Sequence, residues 1–483
     1  MKSSELRANA HQLVDWMADY LDQVQQYPVK PPICPGEIKK QLPVEAPLSP
    51  IAFSEIFDDF KNIIVPGMTH WQHPQFFAYF PTGASEPSIL AEMLTATLGA
   101  QCMIWLTSPA AEELEERMME WLRDMKGLPK NFTGVIQDSS SSATLVALLT
   151  AREHKTNYAI NKSGFSHHKK FRVYASSQAH SSVDKGVKIG GFGIDNLVKI
   201  ETDENFAMIP SALEKVIVED ISNGFVPLCV VSTIGTTSST AIDPIEQIGI
   251  ICQKYGCWHH IDASYAGTAL LLPEMSWMSQ GVELADSYVF NPHKWMFTNF
   301  DCSAYFVKDK AALVNTFSIL PEYLKTPEDK LVNNYRDWGI PLGRRFRALK
   351  LWFVIRSYGL SGLQEKIRKH IEFGQWLKNE IAADPLFEIM APVPLNLVCF
   401  RLRPAGITDE ATLERINKAL LEKLNASGKI LLTQTKLNER YVIRFVAGQT
   451  HTTFKNVEDG WGMVKLVAKE LLVDLKAKNP DQF

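Results

Sequence analysis

The sequence predicts an α/β protein in which a mainly parallel, helix-covered sheet is preceded by a helical arm and followed by a smaller α+β domain. Between about residues 110 and 310, short strand-like runs alternate with helical segments, which is the pattern of a parallel sheet covered on both faces. These strand-like runs are 171–175, 197–200, 228–233, 258–261 and 287–290. Beyond residue 310, longer helical segments with isolated strand-like runs indicate a second domain.

The first 85 residues predict an arm that lies outside the sheet. Residues 3–25 place apolar side chains at helical spacing, and seven prolines follow between Pro28 and Pro50. Because proline fixes φ and lacks a backbone donor, the stretch is expected to be extended. The arm could wrap around its own chain or exchange across a dimer, and the pattern does not decide between them. We therefore divide the chain into the arm (1–85), a large domain (86–360) and a small domain (361–483).

Composition argues against several classes of partner. The 50 basic and 54 acidic residues give a net charge of −4 without long charged runs, so that neither nucleic acid nor a membrane is an expected partner. The longest apolar runs are far shorter than the roughly 20 residues that a spanning helix needs. The N-terminus has acidic residues where an export signal needs an apolar run. The seven cysteines show no metal-ligand spacing, which predicts reduced thiols, no metal site and a soluble, cytoplasmic protein.

A lysine after a strand-like run is the strongest candidate for chemistry. Lys294 lies in SYVFNPHKW (287–295), between His293 and Trp295. Most lysines are solvated surface groups, but partial burial lowers the pKa of the ammonium group and frees the amine for carbonyl chemistry. Lys294 is therefore predicted to form a Schiff base.

A carboxylate follows another strand-like run, in CWHHIDASYAG (257–267). At the end of a strand in an α/β sheet, Asp262 lies where ligands bind, although a helix N-cap is an alternative role. Lys294 at a second strand end favours the cofactor role, because pyridoxal phosphate needs an acid that keeps its ring nitrogen protonated.

Three further segments carry groups that suit such a cofactor. Residues 134–144, GVIQDSSSSAT, lead into a helix whose N-terminus would attract an anion, although serine runs also form loops and simple N-caps. His180, between a strand and a helical stretch, could offer a ring face or a proton, or be structural. The hydroxyl-rich run 233–243 could line a polar pocket or form turns.

Taken together, these segments resemble the group II pyridoxal-phosphate decarboxylases, most closely the aromatic L-amino acid decarboxylases. The resemblance extends to HWQHPQFFAYFPT (70–82), NFDCSA (299–304) and RDWGIPLGRRFRALKLWFVIRSYG (336–359), and thus to nearly the whole chain. It implies fold type I of the pyridoxal-phosphate (PLP) dependent transferases, like aspartate aminotransferase, with a mainly parallel seven-stranded sheet. It also implies a homodimer with both active sites at the interface.

The resemblance implies a role for each matching residue. Lys294 binds PLP as a Schiff base, Asp262 pairs with the ring nitrogen, and His180 stacks on the ring. Tyr323, in LPEYLKTPEDK (320–330), matches a tyrosine on a mobile loop that closes over the substrate. The further cofactor contacts are Ser139, Ser140, Ser141, Thr237, Ser264, Asn291 and His293. In the phosphate turn this chain has Asp138 and Ser140 where the family often has glycine and alanine, which leaves the phosphate contacts open.

An aromatic substrate is also implied by the resemblance. The residues that match the substrate pocket are Trp71, Tyr79, Phe80, Pro81, Thr82, Gln101, Met103 and Gly343. Aromatic side chains suit an aromatic substrate, although some of these are expected to be core only. Gln101 and Met103 replace aliphatic and phenylalanine side chains, and plant relatives tend to carry glycine at the position of Gly343 for indolic substrates and serine for phenolic ones. Tryptophan, DOPA, 5-hydroxytryptophan, tyrosine and phenylalanine all remain open.

We therefore expect PLP-dependent decarboxylation of an aromatic L-amino acid to the arylalkylamine and CO2. One alternative is an aromatic acetaldehyde synthase, against which Tyr323 and His180 argue, because related plant enzymes that form aldehydes carry phenylalanine at the tyrosine position. A glutamate decarboxylase would need cationic groups for the distal carboxylate. A non-catalytic homologue would lack Lys294, Asp262 or the loop tyrosine, all of which are present.

Overall fold

The computed structural model describes residues 1–165, 170–319, 322–324, 326–329 and 331–478. Contacts within this part of the chain define two compact units. Unit 1 comprises Met1–Pro81, Phe373–Met390 and Val398–Phe483, and unit 2 comprises Thr82–Glu372 and Ala391–Leu397. This division differs from the one predicted, because residues 1–81 group with the C-terminal segments, whereas a separate arm was expected. The second boundary lies at residues 372/373, where 360/361 was expected.

Among the described residues, unit 2 contains one seven-stranded sheet, which confirms the predicted α/β class. Its strands are β1 (Thr133–Gln137), β2 (Phe171–Ser176), β3 (Leu197–Ile200), β4 (Val226–Thr233), β5 (Trp258–Asp262), β6 (Ser287–Phe290) and β7 (Ser303–Val307). The order across the sheet is β1-β7-β6-β5-β4-β2-β3. Strands β2 to β6 are parallel, and β7 is antiparallel to both of its neighbours.

The strands are almost continuously apolar because helices cover both faces of the sheet. In β4 the adjacent residues Val230 and Val231 point to opposite faces and belong to different core clusters. The cluster around Val231 includes Val146 and Val183, whereas the cluster around Val230 includes Ile217. With both faces buried, the carboxyl edge of the parallel strands is where polar side chains can collect.

The helices alternate with these strands and continue beyond them. They are α1 (Ser3–Gln23), α2 (Glu37–Gln41), α3 (Phe53–Asp59), α4 (Glu86–Leu98), α5 (Pro109–Met125), α6 (Ser140–Lys155), α7 (Ala159–Ser163), α8 (Ser182–Ile189), α9 (Pro210–Ser222), α10 (Ile245–Tyr255), α11 (Pro292–Trp295), α12 (Lys310–Phe317), α13 (Arg347–Ala383), α14 (Glu410–Ala426) and α15 (Phe454–Lys478). Helix α13 is kinked at Gly359, whose φ of 65° favours glycine.

Unit 1 contains a four-stranded sheet within the described residues, as expected for an α+β domain. Its strands are β8 (Phe387–Ile389), β9 (Leu397–Leu402), β10 (Thr433–Leu437) and β11 (Arg440–Val446), in the order β10-β11-β9-β8. The segment after α1 is tied to this unit, because Val29 N–H donates to the Gly428 carbonyl at 2.7 Å. In the described chain no helix has the length and apolar character that crossing a bilayer requires.

Candidate active site

The carboxyl ends of β5 and β6 bring two of the predicted residues together. Asp262 is the last residue of β5, and Lys294 lies on α11, just after β6. Because the two strands are parallel neighbours, their exits open at the same edge of the sheet. The exits are joined directly, since Asn291 N–H donates to the Ser264 carbonyl at 2.9 Å. The Asp262 carboxylate raises the pKa of Lys294, because the two groups are close enough for the negative charge to stabilise the ammonium form.

The surroundings of Lys294 favour its neutral amine. Burial lowers the pKa of Lys294 more than Asp262 raises it. A larger neutral fraction makes the group a better nucleophile toward a carbonyl. The main chain is held on both sides, because Lys294 N–H donates to the Asn291 carbonyl at 3.0 Å and Gly83 N–H donates to the Lys294 carbonyl at 3.2 Å. Thr82, a half-buried residue that was predicted to line the substrate pocket, directly precedes Gly83 in the chain and therefore lies near Lys294.

The Asp262 side chain is oriented by the residue two positions later. Asp262 is only 5% exposed. Its Oδ1 accepts the Ser264 N–H at 3.0 Å and also the Ser264 hydroxyl. Ser264, predicted as a cofactor contact, thus holds the carboxylate in place through two donors.

His180 joins the same site with a defined tautomer. Its Nδ1 accepts the N–H of Ser182 at 3.2 Å and lies 2.9 Å from the Ser182 hydroxyl. Since a backbone N–H can only donate, the proton of the neutral ring is on Nε2. Burial lowers the pKa of His180, Asp262 raises it and Lys294 lowers it further, so all three groups act on one another. His180 nevertheless remains solvent-exposed, so that part of its ring surface is accessible.

The N-terminus of α6 faces the exit of β6. Ser139 is the N-cap of α6, and its hydroxyl accepts Ser142 N–H at 3.2 Å. The buried Ser140 hydroxyl donates to Asn291 Oδ1 at 2.6 Å, and Ser303 donates to the same oxygen. This geometry brings the predicted residues Ser140 and Asn291 together beside unpaired helix N–H groups, which attract an anion.

Two other predicted phosphate contacts have different surroundings. Ser141 is exposed in the first turn of α6. His293 is buried, and its Nδ1 accepts the Cys302 N–H at 2.9 Å, so only Nε2 remains for a ligand. Burial lowers the pKa of His293 to about 3, which keeps the ring neutral. A phosphate contact from His293 would thus be a neutral N–H donor.

Asp138 places a negative charge at the entrance to α6. Its Oδ1 accepts Ser139 N–H at 2.9 Å, so it occupies a donor at the turn and would repel a phosphate. We expect Asp138→Gly to bind PLP about fivefold to tenfold more tightly, measured by fluorescence titration of the apo protein. Asp138→Asn, which removes the charge and keeps the size, should give most of this gain. Dissociation constants equal to that of the unmodified protein in both variants would contradict the explanation.

Thr237 is the exposed residue of an otherwise largely buried turn after β4. The turn is closed by Gly235 and Thr236, whose N–H groups both donate to the Ala241 carbonyl at 2.9 Å. Gly235 has φ +85°, and a Cβ there would lie 2.4 Å from the Cβ of Ala266. Glycine is therefore required where the exit of β4 packs against the loop that follows Asp262.

Four predicted substrate residues belong to unit 1, and two of them are stacked aromatic residues. Trp71 stacks on Tyr79, with ring centroids 5.8 Å apart and planes at 20°. Tyr79 is 55% exposed and has φ +53°, a conformation that is rare for a non-glycine residue and common at functional sites. Phe80 and Pro81 are buried, and the Arg444 guanidinium lies 5.2 Å from the ring centroid of Phe80.

The remaining predicted substrate residues belong to unit 2 and lie close together. Gln101 Oε1 accepts Arg344 N–H at 2.6 Å, and Met103 accepts Arg336 N–H through its carbonyl at 2.9 Å. A Cβ added to Gly343 would lie 3.1 Å from Gln101 Nε2. The side chain of Gln101 thus occupies the space that a larger residue at position 343 would need.

The structure describes only the main chain of Tyr323, which lies in a short 3-10 helix, Glu322–Leu324. Its side chain lies outside the described residues. The neighbouring Leu324 carbonyl accepts a hydrogen bond from Arg336 Nη1 at 2.8 Å, and Arg336 is only 5% exposed.

Gly83 and Ser303 contact residues of the site but were not predicted from the sequence. Ser303 lies within NFDCSA, which was quoted only for its resemblance, and its contact with Asn291 has no local signal. Gly83 directly follows the motif 70–82, and a glycine after a threonine indicates no particular partner.

The residues present fit PLP by the chemistry of their donors. A lysine amine of lowered pKa suits the aldehyde, and a buried carboxylate suits a protonated ring nitrogen. An imidazole exposed on one side suits the ring face. Hydroxyls at the N-terminus of a 16-residue helix suit the phosphate.

A fold with these groups at the carboxyl edge of its sheet is that of a fold type I, PLP-dependent enzyme. Residues 35–403 match the family described as "Pyridoxal-dependent decarboxylase conserved domain", and the chain belongs to this family. The cofactor is therefore pyridoxal 5'-phosphate. The aromatic-L-amino-acid decarboxylase of Mus musculus is 42% identical over 493 residues, covering 98% of this chain and 99% of the mouse protein.

Two solved structures are also similar. The Oryza sativa TDC structure with PLP and tryptamine has a TM-score of 0.95 and 33% identity, and the match covers 98% of this chain and 99% of the rice chain. The 4-hydroxyphenylacetaldehyde synthase of Rhodiola rosea has a TM-score of 0.90 and 34% identity, covering 97% and 99%. The fold is thus shared by proteins whose names imply different products.

Proposed function

We propose that this protein decarboxylates aromatic L-amino acids to the arylalkylamine and CO2. The observation that carries the proposal is the meeting of Asp262, Lys294 and His180 at one edge of the sheet in unit 2. Similarity to the mouse aromatic-L-amino-acid decarboxylase and to the rice structure with tryptamine supports an aromatic substrate.

Each residue has a distinct task in this proposal. PLP, when bound, supplies an electron sink for the electron pair that remains when the carboxylate leaves as CO2. Lys294 would hold it covalently through its amine, and Asp262 would keep a proton on its ring nitrogen. His180 would cover one ring face, and Ser140 with Asn291 would bind the phosphate. Tyr323 would donate the proton that replaces the carboxylate on the substrate Cα.

A substrate panel tests the proposal. The protein with PLP is incubated with tryptophan, DOPA, 5-hydroxytryptophan, tyrosine, phenylalanine and glutamate, and CO2, amine, ammonia and peroxide are each quantified. One amine per CO2 from at least one aromatic substrate is expected. Turnover of glutamate alone would overturn the aromatic assignment.

The Rhodiola synthase makes aldehyde formation the second candidate. We expect Tyr323→Phe to shift the products from amine toward aldehyde, ammonia and peroxide, with O2 consumed. The reason is that a site without its proton donor leaves the electron pair at Cα open to O2. If the unmodified protein already forms aldehyde and peroxide as its main products, the second candidate is correct.

Gln101 is proposed to influence which ring is preferred. Its Oε1 is held by Arg344, and its Nε2 makes no hydrogen bond within the described residues, so it can donate to a ring hydroxyl. Gln101→Ile should lower kcat/KM for tyrosine and DOPA relative to phenylalanine by about tenfold. Leu106→Met, which conserves volume at an exposed position without a predicted substrate role, is the control and should leave the ratio unchanged. An unchanged ratio in Gln101→Ile would remove this role.

We further propose that the protein is a homodimer. Helix α1 buries none of its residues within its own chain. Helix α4 exposes an apolar stripe at helical spacing, in which Leu90, Leu94 and Leu98 are 52%, 47% and 63% exposed. Exposed apolar surface of this kind marks an interaction site, and a second copy is the partner that the family resemblance implies. Sedimentation should give twice the chain mass of 54.4 kDa, and a single-chain mass would contradict the proposal.

A cytoplasmic location is proposed on the state of the cysteines. All seven lie in the described part of the chain and are free thiols. Six of them are buried, and only Cys34 is exposed. Unpaired thiols are typical of a reducing compartment. The test is fractionation of the native cells. Recovery of the protein in the pellet, and not in the soluble supernatant, would contradict this location.

A further inference from the structure

The residue after Lys294 is one of the most tightly held side chains in unit 2. Trp295 is 0% exposed. Its indole stacks on Tyr265, with ring centroids 4.8 Å apart and planes at 6°. Its Nε1–H donates to His370 Nδ1 at 2.9 Å. The indole is thus fixed on its face by one residue and on its edge by another.

The relation between Trp295 and His370 is edge to edge. The two ring planes are nearly parallel, at 6°, but their centroids are 6.5 Å apart. With a hydrogen bond of 2.9 Å between ring nitrogens, this separation means that the imidazole extends the plane of the indole and does not lie over it. His370 therefore fixes the rotation of the indole within its plane, which stacking on Tyr265 alone does not do.

This group of rings connects the main-chain segments that carry Asp262 and Lys294. Tyr265 follows Asp262 by three residues, and Trp295 directly follows Lys294 on the four-residue helix α11. The Tyr265 hydroxyl is itself held, because the buried Asn396 donates to it at 2.7 Å. A rotation of the indole would thus move the main chain of Lys294 relative to the loop that carries Asp262.

The imidazole has the chemistry that this position requires. His370 is 4% exposed, and burial lowers its pKa to about 3. Lys366 lowers the pKa further, so the ring stays neutral at any pH near neutrality. A neutral Nδ1 with a lone pair accepts the indole N–H, whereas a protonated ring would place two N–H groups against each other.

We propose that His370 is a positioning residue for Lys294, acting through the indole of Trp295. The inference rests on the proposed role of Lys294, and it adds that a group on α13 without contact to cofactor or substrate sets how well the lysine amine is aligned. Misplacement of a reacting group by about 1 Å costs up to about 100-fold in rate.

Three variants test the proposal on the PLP-bound protein. His370→Leu removes the acceptor, His370→Asn keeps an acceptor atom in nearly the same place, and Trp295→Phe removes the donor. The matched control is His259→Leu, because His259 is also buried, also has a pKa of about 3, and bonds to Ser232 at 2.7 Å. The readouts are the pH midpoint of the absorbance band of lysine-bound PLP, the dissociation constant of PLP, and kcat and KM.

In His370→Leu we expect kcat to fall about 10- to 100-fold with KM changed less than about threefold, and the pH midpoint to shift by about half a unit or more. His370→Asn should restore kcat to within about threefold. Combining His370→Leu with Trp295→Phe should cost little more than either change alone, because both remove one interaction. His259→Leu should lower thermal stability without moving the pH midpoint.

A pH midpoint and a kcat in His370→Leu that equal those of His259→Leu would overturn the proposal. If His370→Leu does not fold, Trp295→Phe and His370→Asn decide: an unshifted midpoint in Trp295→Phe overturns it, and a shift in Trp295→Phe with none in His370→Asn supports it. Failure of the proposed function would look different. If instead the proposed role of Lys294 were wrong, borohydride reduction of the unmodified protein would not attach PLP to Lys294, whatever its substrate.

Discussion

Lys294→Ala should lose at least about 10³-fold in kcat/KM for every aromatic substrate while keeping its fold. In the proposed mechanism the lysine amine is the nucleophile that holds PLP, and burial lowers its pKa, which favours this reaction. An alanine leaves no amine at this position. The measurement is steady-state amine formation, together with the absorbance spectrum, in which the band of lysine-bound PLP should be missing.

A second buried lysine provides the control for this experiment. Lys126 is 4% exposed, donates to the Gly267 carbonyl and lies 3.9 Å from the ring centroid of Phe290. Burial lowers its pKa well below the usual value, and burial also lowers the pKa of Lys294, but no role at the cofactor is assigned to Lys126. Lys126→Met should retain activity. If Lys294→Ala retained near-normal turnover, the mechanism proposed for the site would be wrong.

Asp262→Asn is expected to lower kcat by about 10²- to 10⁴-fold with a smaller change in PLP affinity. The amide keeps an oxygen that can accept the two donors of Ser264, so the loop should stay folded. What is lost is the negative charge that, in the proposed mechanism, keeps the ring nitrogen protonated. The measurements are kcat with the best substrate and the PLP dissociation constant.

The matched control for Asp262→Asn is the variant Asp243→Asn. Asp243 is 1% exposed and accepts two backbone N–H groups, from Met208 and Thr233, each at 2.7 Å. Its pKa is raised to about 7 by burial, so the neutral amide is a mild change in charge. Asp243→Asn should therefore lower stability more than kcat. Equal losses of kcat in the two variants would mean that the effect at Asp262 is structural.

The sheet was predictable because its central strands carry their own local signal. The five predicted runs correspond to β2 through β6, with ends that differ by at most two residues. Strands β1 and β7 were not predicted as strands from the residues alone, because most of β1 lies inside the serine-rich segment 134–144 and β7 begins inside NFDCSA (299–304). The grouping of the arm with unit 1 depends on contacts such as Val29 with Gly428, which no local pattern encodes.

The lysine and the aspartate of the candidate site were predictable from the sequence, but the long-range contacts that hold the site together were not. Lys294 and Asp262 stand out because a charged residue at the end of an apolar run is locally unusual. Local bonds orient Asp262 and His180, but other supporting bonds join distant positions: Ser140 and Asn291 are 151 residues apart, and Trp295 and His370 are 75 apart. His370 lies in an ordinary helical pattern, and a histidine there shows no sign of its partner.

The antiparallel strand β7 has a consequence for how the protein acquires its activity. It lies between β1 and β6, with Thr133 and Ser287 both paired to Val307. Until β7 is inserted, the turn after β1 has no defined distance from the exit of β6. During synthesis the chain must therefore be made beyond residue 307 before the proposed phosphate site can form. Pairing over such long loops is slow, and cofactor capture becomes a late step that reports completed assembly of the sheet.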